Sequence, residues 1–230
     1  MNKAKIMETF KSIQGEGKYA GVPQVFVRFF ECNMHCSWCD TPNSIGDKIR
    51  NFKEYDCEEL FDQVMGLWDD CHSVSLTGGE PLLQADFMSE FLTKMKRADM
   101  VAYLETNGVL PEELKKVIDR VDIVAMDLKL PSSTQCRAYW PEHARFLKIA
   151  KEKDVFIKTV ITNDTTKEDV LKSARLIADI DREILCYIQP NYFELKNGVM
   201  EKCLEYQKDY LKLLTNVRIL PQTHKMMKLR

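Results

Sequence analysis

The sequence lacks three features that mark proteins outside the soluble globular class: a long apolar run, an export signal and an excess of one charge. No apolar run approaches the ~20 residues that span a bilayer, and the N-terminus has no signal-peptide core. The 33 Lys and Arg residues are balanced by 35 Asp and Glu residues, so the basic surface of a nucleic-acid-binding protein is missing. The hydrophobic share of 45% excludes disorder and collagen-like repeats. We expect a cytoplasmic protein, one domain over residues 1–230, that binds neither membranes nor nucleic acid.

Glycine is also scarce, and its placement is uneven. The chain has 9 glycines, and Gly15, Gly17, Gly78, Gly79 and Gly108 all lie in short motifs. Glycine is used where backbone must come close to another group. These motifs are therefore candidates for ligand contact.

The eight cysteines are distributed unevenly as well. Five of them are scattered singly, whereas Cys32, Cys36 and Cys39 lie within one short segment. A chain without an export signal is not expected to form a disulfide framework, and clustered thiols more often indicate metal or redox chemistry.

Short β-rich runs alternate with helical patterns along the chain. Several runs are apolar nearly throughout, as expected of strands buried on both faces of a parallel sheet. Alternation of this kind indicates right-handed βαβ units, and six or seven strands are too few for a closed eightfold barrel. We therefore predict an α/β fold, an incomplete (β/α)6-type parallel barrel. The predicted strands are 24–30, 73–77, 101–105, 122–127, 155–161, 184–189 and 217–220.

Capping residues predict where several helices begin. Asp56 with Glu59, and Thr165 with Glu168, form capping pairs before apolar periodic segments. Pro111 suits the first turn of another helix. The last helix is predicted over residues 200–214.

The three clustered cysteines directly follow the strand predicted over 24–30. Chemistry in such folds lies in the loops after the strands, so this loop is a candidate site. Three thiolates can hold three irons of a cubane iron–sulfur cluster and leave one iron open. A zinc site with His35 or His72 as fourth ligand is the alternative, although structural zinc loops usually supply two separated ligand pairs.

The spacing CxxxCxxC, with Trp38 before the last cysteine, resembles the radical S-adenosylmethionine (SAM) superfamily. The resemblance implies a 4Fe–4S cluster held by Cys32, Cys36 and Cys39, with SAM chelating the open iron. It further implies that the reduced cluster cleaves SAM and that a 5′-deoxyadenosyl radical abstracts a hydrogen from the substrate.

Further motifs lie where this superfamily carries its SAM-binding residues, each after a predicted strand. Thr77-Gly78-Gly79-Glu80-Pro81 resembles the superfamily's GGE motif, in which the backbone and the carboxylate meet the methionine amino group. The resemblance implies the following cofactor-binding residues: Trp38, Gly79, Glu80, Asp127, Leu128, Lys129, Gln189, Pro190, Asn191 and Tyr192.

The N-terminal motif Ser12-Ile13-Gln14-Gly15-Glu16-Gly17 precedes the first predicted strand. Together with Arg28, the Cys39-Asp40-Thr41 sequence and the C-terminal Gln222-Thr223-His224-Lys225, it is similar to the family of 7-carboxy-7-deazaguanine synthases. These radical SAM lyases convert 6-carboxy-5,6,7,8-tetrahydropterin to 7-carboxy-7-deazaguanine with loss of ammonia, on the pathway to queuosine. The family requires Mg²⁺ and recycles SAM.

This second resemblance also implies residue roles. Arg28 clamps the carboxylate of the pterin, for which a planar guanidinium is suited. Thr41 supplies a hydroxyl to Mg²⁺. Glu105 and His224 are the catalytic candidates, as partners of the ring nitrogens and exocyclic groups. The remaining substrate-binding residues are Ile13, Gln14, Gly15, Thr77 and Arg230.

The resemblance implies a homodimer and an electron donor such as flavodoxin or ferredoxin. One alternative within the same chemistry is an activating enzyme of a glycyl-radical protein, because Asp127-Leu128-Lys129 resembles a motif of those enzymes where many synthases carry Ser-Pro-Lys. The N-terminal motif has no role in that alternative. A zinc-stabilised binding module is the alternative from another class.

Overall fold

A single sheet organises the computed structural model, which describes residues 2–46 and 51–229. Its strand order is β3-β1-β2-β4-β5-β6-β7-β8-β9. From β2 through β4 to β9 neighbouring strands are parallel, whereas β1 pairs antiparallel with both β2 and β3. The strands are β1 (Ala4–Ile13), β2 (Pro23–Phe29), β3 (Lys53–Tyr55), β4 (Ser73–Gly78), β5 (Ala102–Thr106), β6 (Ile123–Asp127), β7 (Asp154–Ile161), β8 (Cys186–Pro190) and β9 (Val217–Ile219).

The predicted parallel barrel is confirmed, because every predicted strand is present within a few residues of its expected bounds. The antiparallel edge strands β1 and β3 were not predicted. Lys5, Glu8 and Lys11 interrupt the apolar pattern of β1, which is only partly buried. The N-terminal motif precedes β2 as predicted, but its first two residues, Ser12 and Ile13, end the unpredicted strand β1.

The sheet is curved around a central space. Glu16, just after β1, pairs with Lys158 of β7, although β1 and β7 are five strands apart in the sheet order. In a flat sheet these strands lie about 24 Å apart, because neighbouring strands are spaced by about 4.8 Å. The ion pair is possible only because the sheet bends into an open barrel.

Helices cover the outer face of the sheet. Buried side chains of the helices and of the strands' outer faces form the larger of two apolar clusters. No helix within the described ranges is long and apolar enough to cross a bilayer. The helices are α1 (Cys57–Leu67), α2 (Ala85–Arg97), α3 (Pro111–Val117), α4 (Pro131–Thr134), α5 (Trp140–Ala150), α6 (Lys167–Asp181), α7 (Val199–Tyr210) and α8 (Thr223–Met227).

Local sequence signals set most of the helix starts. Asp56 and Glu59 form the predicted reciprocal capping box of α1, and α3 begins at Pro111 as predicted. The predicted cap of α6 is one residue off, because Thr166 accepts the hydrogen bond from Asp169 N. Thr165 instead accepts one from the backbone of Thr162, at 2.8 Å. Helix α7 ends at Tyr210, four residues before the predicted end, and α4, α5 and α8 were not predicted.

The inner face of the barrel changes character along its strands. A small apolar cluster of Tyr103, Ile123, Ala125, Phe156 and Tyr187 forms its floor. Because side chains alternate between the two faces of a strand, residues at even spacing from these also face inward. Those nearer the strands' carboxyl ends are polar: Glu105, Asp127, Lys158 and Gln189. The fold thus presents charge above an apolar floor.

Candidate active site

A cavity opens at the carboxyl ends of the parallel strands, with ≈ 1360 Å³ of empty space that is continuous with solvent. Most of the predicted site residues line this cavity. The predicted residues in the lining are Ile13, Gln14, Gly15, Arg28, Cys32, Cys36, Trp38, Cys39, Thr41, Thr77, Gly79, Glu105, Asp127, Lys129, Gln189, Pro190, Asn191 and His224.

Three other predicted site residues lie outside this lining. Glu80 and Leu128 are fully buried outside the lining. Tyr192 lies on the rim, where its neighbour Phe193 enters the cavity wall instead. Arg230 lies outside the described residues.

The cysteine loop follows β2 and is fastened to the loops after β5 and β6. Ser37 N donates to Thr134 O at 3.0 Å, and Trp38 Nε1 donates to Ser133 Oγ at 2.9 Å. On the other side, Asn107 Nδ2 donates to Asn33 Oδ1 at 2.7 Å. These bonds hold the loop that carries the thiols against its neighbours.

The three thiols of this loop are partly buried and free. Burial raises the pKa of Cys32 to about 11 and that of Cys36 to about 12, so each thiolate needs a cation as partner. Among residues 2–46 and 51–229, no three His, Cys, Asp or Glu side chains converge on one point as ligands of a single ion. An iron–sulfur cubane fits such spacing, because each thiolate binds a different iron.

The position of His72 excludes it as the fourth ligand of a zinc site with the three cysteines. His72 precedes β4 and contacts Ser73 Oγ at 2.9 Å, whereas the cysteine loop lies at the opposite end of that strand. The length of β4 separates them by about 17 Å. His72 therefore cannot complete a tetrahedral site with the cysteines.

Gly79 brings β4 against the segment that leads into the cysteine loop. A Cβ at Gly79 would overlap the carbonyl oxygen of Glu31, and Gly79 N donates to Phe29 O at 3.1 Å. Glu80 N donates to Glu31 O at 2.8 Å. Only glycine permits this approach of two backbones.

Glu80 braces two loops from behind the cavity. Its carboxylate accepts hydrogen bonds from Leu82 N at 3.1 Å, Thr106 Oγ1 at 2.9 Å and Asn107 N at 2.8 Å. Burial raises the pKa of this carboxyl to about 7, although the three donors oppose that shift. Glu80 thereby joins the end of β4 to the end of β5.

Asp127 and Lys129 form an ion pair in the cavity wall at the end of β6. Lys129 Nζ lies 2.7 Å from Asp127 Oδ2 and 4.5 Å from the centroid of the Trp38 ring. Asp127 Oδ1 is buried and accepts no hydrogen bond from any residue that the structure describes. A buried acceptor without a donor is costly, so this oxygen fits a ligand that brings a donor.

A network of neutral side chains orients Glu105 on the other side of the cavity. Its Oε1 accepts a hydrogen bond from Gln14 Nε2 at 2.8 Å, and its Oε2 accepts one from Thr77 Oγ1 at 2.9 Å. Gln14 Nε2 also donates to Gln24 Oε1 at 2.9 Å. Glu105 is thus held in one orientation by Gln14, just after β1, and by Thr77 of β4, while Gln24 of β2 fixes Gln14.

The C-terminal segment closes the barrel where the sheet leaves a gap. Gln222 Nε2 donates to Glu16 Oε1 at 2.7 Å and to Asp40 Oδ2 at 3.0 Å. Lys225 Nζ lies 3.1 Å from Asp40 Oδ2, and Thr223 N donates to Gly15 O at 2.9 Å. Three motifs that are distant in the sequence therefore meet at this point.

Lys158 is a site residue that sequence reasoning missed. It lines the cavity, is 6% exposed and pairs with Glu16. Burial alone raises the pKa of the Glu16 carboxyl, but the Lys158 ammonium outweighs it and holds that pKa below its usual value. A single lysine in the apolar run Val155–Ile161 was the signal that could have identified it.

Arg28 and Thr41 lie on the side of the cavity nearest β1. Arg28 Nε donates to Glu8 Oε1 at 2.7 Å, and its guanidinium lies 5.8 Å from the centroid of the Phe10 ring. Thr41 Oγ1 donates to Asp40 Oδ1 at 3.3 Å. The Thr41 hydroxyl and the Asp40 carboxylate are the hard oxygen donors that Mg²⁺ prefers.

Comparisons with known proteins agree on one family. Residues 27–177 match the family model of the Radical SAM superfamily. The chain is 37% identical to a 7-carboxy-7-deazaguanine synthase of Geobacter sulfurreducens, over 97% of each protein. It is 34% identical to a protein of the same name from Archaeoglobus fulgidus, over 99% of this chain and 100% of that one. The crystal structure of QueE from Escherichia coli has a TM-score of 0.63 at 18% identity and covers 96% of this chain and 94% of its own, which supports the fold.

Proposed function

We propose that this chain converts 6-carboxy-5,6,7,8-tetrahydropterin to 7-carboxy-7-deazaguanine, because it belongs to the 7-carboxy-7-deazaguanine synthases of the radical SAM superfamily. The reaction releases ammonia and makes the chain a radical SAM lyase of the 7-deazapurine pathway. The observation that carries the proposal is the cavity itself. It joins the cysteine loop to the N-terminal and C-terminal motifs that resemble this family.

The cofactors are a 4Fe–4S cluster and SAM. Cys32, Cys36 and Cys39 would hold the cluster, and among the described residues they are the cysteines that line the cavity. When bound and reduced, the cluster would supply the electron for cleavage of SAM, and SAM would supply the 5′-deoxyadenosyl radical that removes a hydrogen from the substrate. The protein's part is to hold SAM and the pterin in register and to keep water away from both.

The wall that contains Asp127 and Lys129 would hold SAM. Asp127 Oδ1 offers the unused acceptor described above, and Lys129 offers an ammonium already placed over Trp38. Gln189 and Asn191 line the same side and remain candidates for the adenine. Glu80 would act from behind this wall, through the backbone of Asn107.

The opposite wall would hold the pterin. Glu8 occupies Nε of Arg28, and the Nη1–Nη2 edge of the guanidinium is the part suited to a bidentate bond with the substrate carboxylate. Glu105 would accept hydrogen bonds from N–H groups of the ring, because its neighbours already fix its orientation. His224 would serve as the second ring partner, and Gln14 and Gly15 would complete the pterin wall.

Mg²⁺, the electron donor and the homodimer belong to the proposal through the family resemblance. Thr41 would ligate Mg²⁺ together with substrate and water oxygens. A small carrier such as flavodoxin or ferredoxin would reduce the cluster. Light scattering on the purified protein tests the dimer, and reduction of the cluster by each carrier tests the donor.

One experiment tests the proposed activity. The protein is reconstituted anaerobically with iron and sulfide, reduced with dithionite, and incubated with SAM, Mg²⁺ and carboxytetrahydropterin. We expect carboxydeazaguanine by mass spectrometry and an equal amount of ammonia, with neither formed when SAM is omitted. Protein that cleaves SAM but forms no carboxydeazaguanine would contradict the synthase and leave the activating enzyme as the alternative.

A further inference from the structure

His143 is a buried residue outside every motif named above. It lies on α5 and is 0% exposed. Its ring nitrogens contact the backbone of two different loops: Nδ1 lies 3.0 Å from Gly108 O, and Lys129 N donates to Nε2 at 3.2 Å. The side chain therefore bridges the loops that follow β5 and β6.

The two contacts define the state of the imidazole. A backbone N–H can only donate, so Nε2 must accept the hydrogen bond from Lys129 N. The proton of a neutral ring is then on Nδ1, which donates to the Gly108 carbonyl. Burial lowers the pKa of His143 to about 4, in agreement with a neutral ring. Both nitrogens are thus used by backbone groups.

Each loop carries groups of the predicted SAM side. Lys129 extends from the second loop to Asp127 and over the ring of Trp38. In the first loop, Asn107 is tied to Glu80 through its backbone and to Asn33 through its side chain. His143 spans the gap between the two loops from the side away from the cavity, because it does not belong to the lining.

His143 bonds to the backbone of the two loops that carry residues of the SAM wall. Fixing Lys129 N fixes the Cα from which the Lys129 side chain starts, and with it the ion pair to Asp127. The ammonium and the unused oxygen Asp127 Oδ1 are then in place before a ligand arrives.

We propose that His143 is a positioning residue for SAM: its neutral imidazole accepts the hydrogen bond of Lys129 N and so holds Lys129 and Asp127 in their binding geometry, while Gly108 O keeps the proton of the ring on Nδ1. This inference rests on the proposed function only in placing SAM against these two residues. Pterin binding is not affected directly, because Arg28 and Glu105 contact neither loop position that His143 holds.

Two isosteric substitutions separate the contacts. In His143→Gln the amide oxygen can occupy the position of Nε2 and accept from Lys129 N, while the bond to Gly108 is lost. In His143→Asn the amide nitrogen can occupy the position of Nδ1 and donate to Gly108 O, while the bond to Lys129 is lost. His143→Leu removes both.

The measurement is the dissociation constant of SAM for the reconstituted, unreduced protein, by equilibrium dialysis without turnover. We expect it to rise about tenfold in His143→Leu and His143→Asn, the factor given by one lost hydrogen bond, and by less than about threefold in His143→Gln. Iron content and the KM of the pterin should stay near their wild-type values. His72→Asn, a change at the far end of β4, is the matched control and should leave SAM affinity unchanged.

The outcomes decide the inference separately from the proposed activity. Equal SAM affinity in all variants, or equal losses in His143→Gln and His143→Asn, would overturn it, because a purely structural role does not distinguish the two nitrogens. If His143→Leu does not fold, the Gln and Asn pair still decides. A wild-type protein that makes no carboxydeazaguanine contradicts the proposed function, while the order of SAM affinities still tests His143.

Discussion

The imidazole of His224 packs directly on the Cα of Gly15, so that a Cβ at position 15 would overlap Nδ1. Around this contact, Thr223 N and Thr223 Oγ1 both donate to Gly15 O, at 2.9 and 3.0 Å. The N-terminal motif thereby forms the surface on which the C-terminal motif rests. Both residues line the cavity, so segments from the two ends of the chain form the proposed pterin wall together.

Gly15→Ala should displace His224 and weaken pterin binding. Overpacking of this kind costs about 1–3 kcal/mol, and we expect an increase of about tenfold or more in the KM of the pterin. Cluster assembly and SAM affinity should be retained, because Gly15 belongs neither to the cysteine loop nor to the wall that contains Asp127 and Lys129. Steady-state kinetics with iron analysis provides the measurement. Gly66→Ala is the control, because a Cβ there meets nothing within 4 Å. Unchanged pterin kinetics in Gly15→Ala would contradict the assigned wall.

Lys158→Met should destabilise the fold, because it leaves the buried Glu16 carboxylate without its partner. Breaking a buried pair from one side costs about 3–5 kcal/mol. The double variant Glu16→Gln with Lys158→Met should recover part of that loss, since no uncompensated charge remains. Anaerobic urea unfolding of the reconstituted proteins measures both. A double variant no more stable than Lys158→Met would show that the pair does not act as a unit.

The same pair predicts a pH dependence. In the folded state the Lys158 ammonium holds the pKa of the Glu16 carboxyl below its ordinary value of 4.5. Its contribution to stability is therefore fully present above about pH 4.5, the unfolded value, and is lost as the pH falls through the lower folded value. The difference in unfolding free energy between wild type and Glu16→Gln should shrink as the pH is lowered below about 4.5. A constant difference over that range would exclude the linkage.

Arg28→Lys should impair recognition of the substrate carboxylate. A lysine keeps the charge but loses the planar fork, and losing a charged hydrogen bond corresponds to an increase of about 10- to 100-fold in the KM of the pterin. SAM affinity, measured in parallel, should not change. A change in SAM affinity, with no change in the KM of the pterin, would show that Arg28 was assigned to the wrong ligand.

Cys32→Ala, Cys36→Ala and Cys39→Ala should each abolish assembly of the cluster. Iron and sulfide analysis after anaerobic reconstitution, together with the visible absorbance, gives the measurement. Cys136→Ala is the matched control: Cys136 Sγ donates to Thr134 O, the same carbonyl that anchors Ser37 of the cluster loop, yet Cys136 does not line the cavity. Loss of the cluster in that variant as well would show that the ligand set is wrong.

Local sequence determined the seven parallel strands, the first turns of α1 and α3, and the loops that carry chemistry. Parallel strands end at one edge of a sheet, so motifs that follow successive strands must converge there. This is why the sequence alone assigns Cys32, Thr77, Glu105 and Asp127 to one site. The antiparallel strand β1 was not predicted, because its charged residues interrupt the alternation of apolar and polar positions.

Only the tertiary structure decided which neighbours those residues have. Glu80 and Asp127 are both carboxylates after strands, yet one is buried as a brace and the other has an oxygen free for a ligand. The partners Lys158 and His143 come from an apolar strand and an unpredicted helix. Periodicity reports which face of an element is apolar, whereas a contact between distant segments depends on how far the sheet curves. That curvature is set by the packing of the whole chain and leaves no local signal.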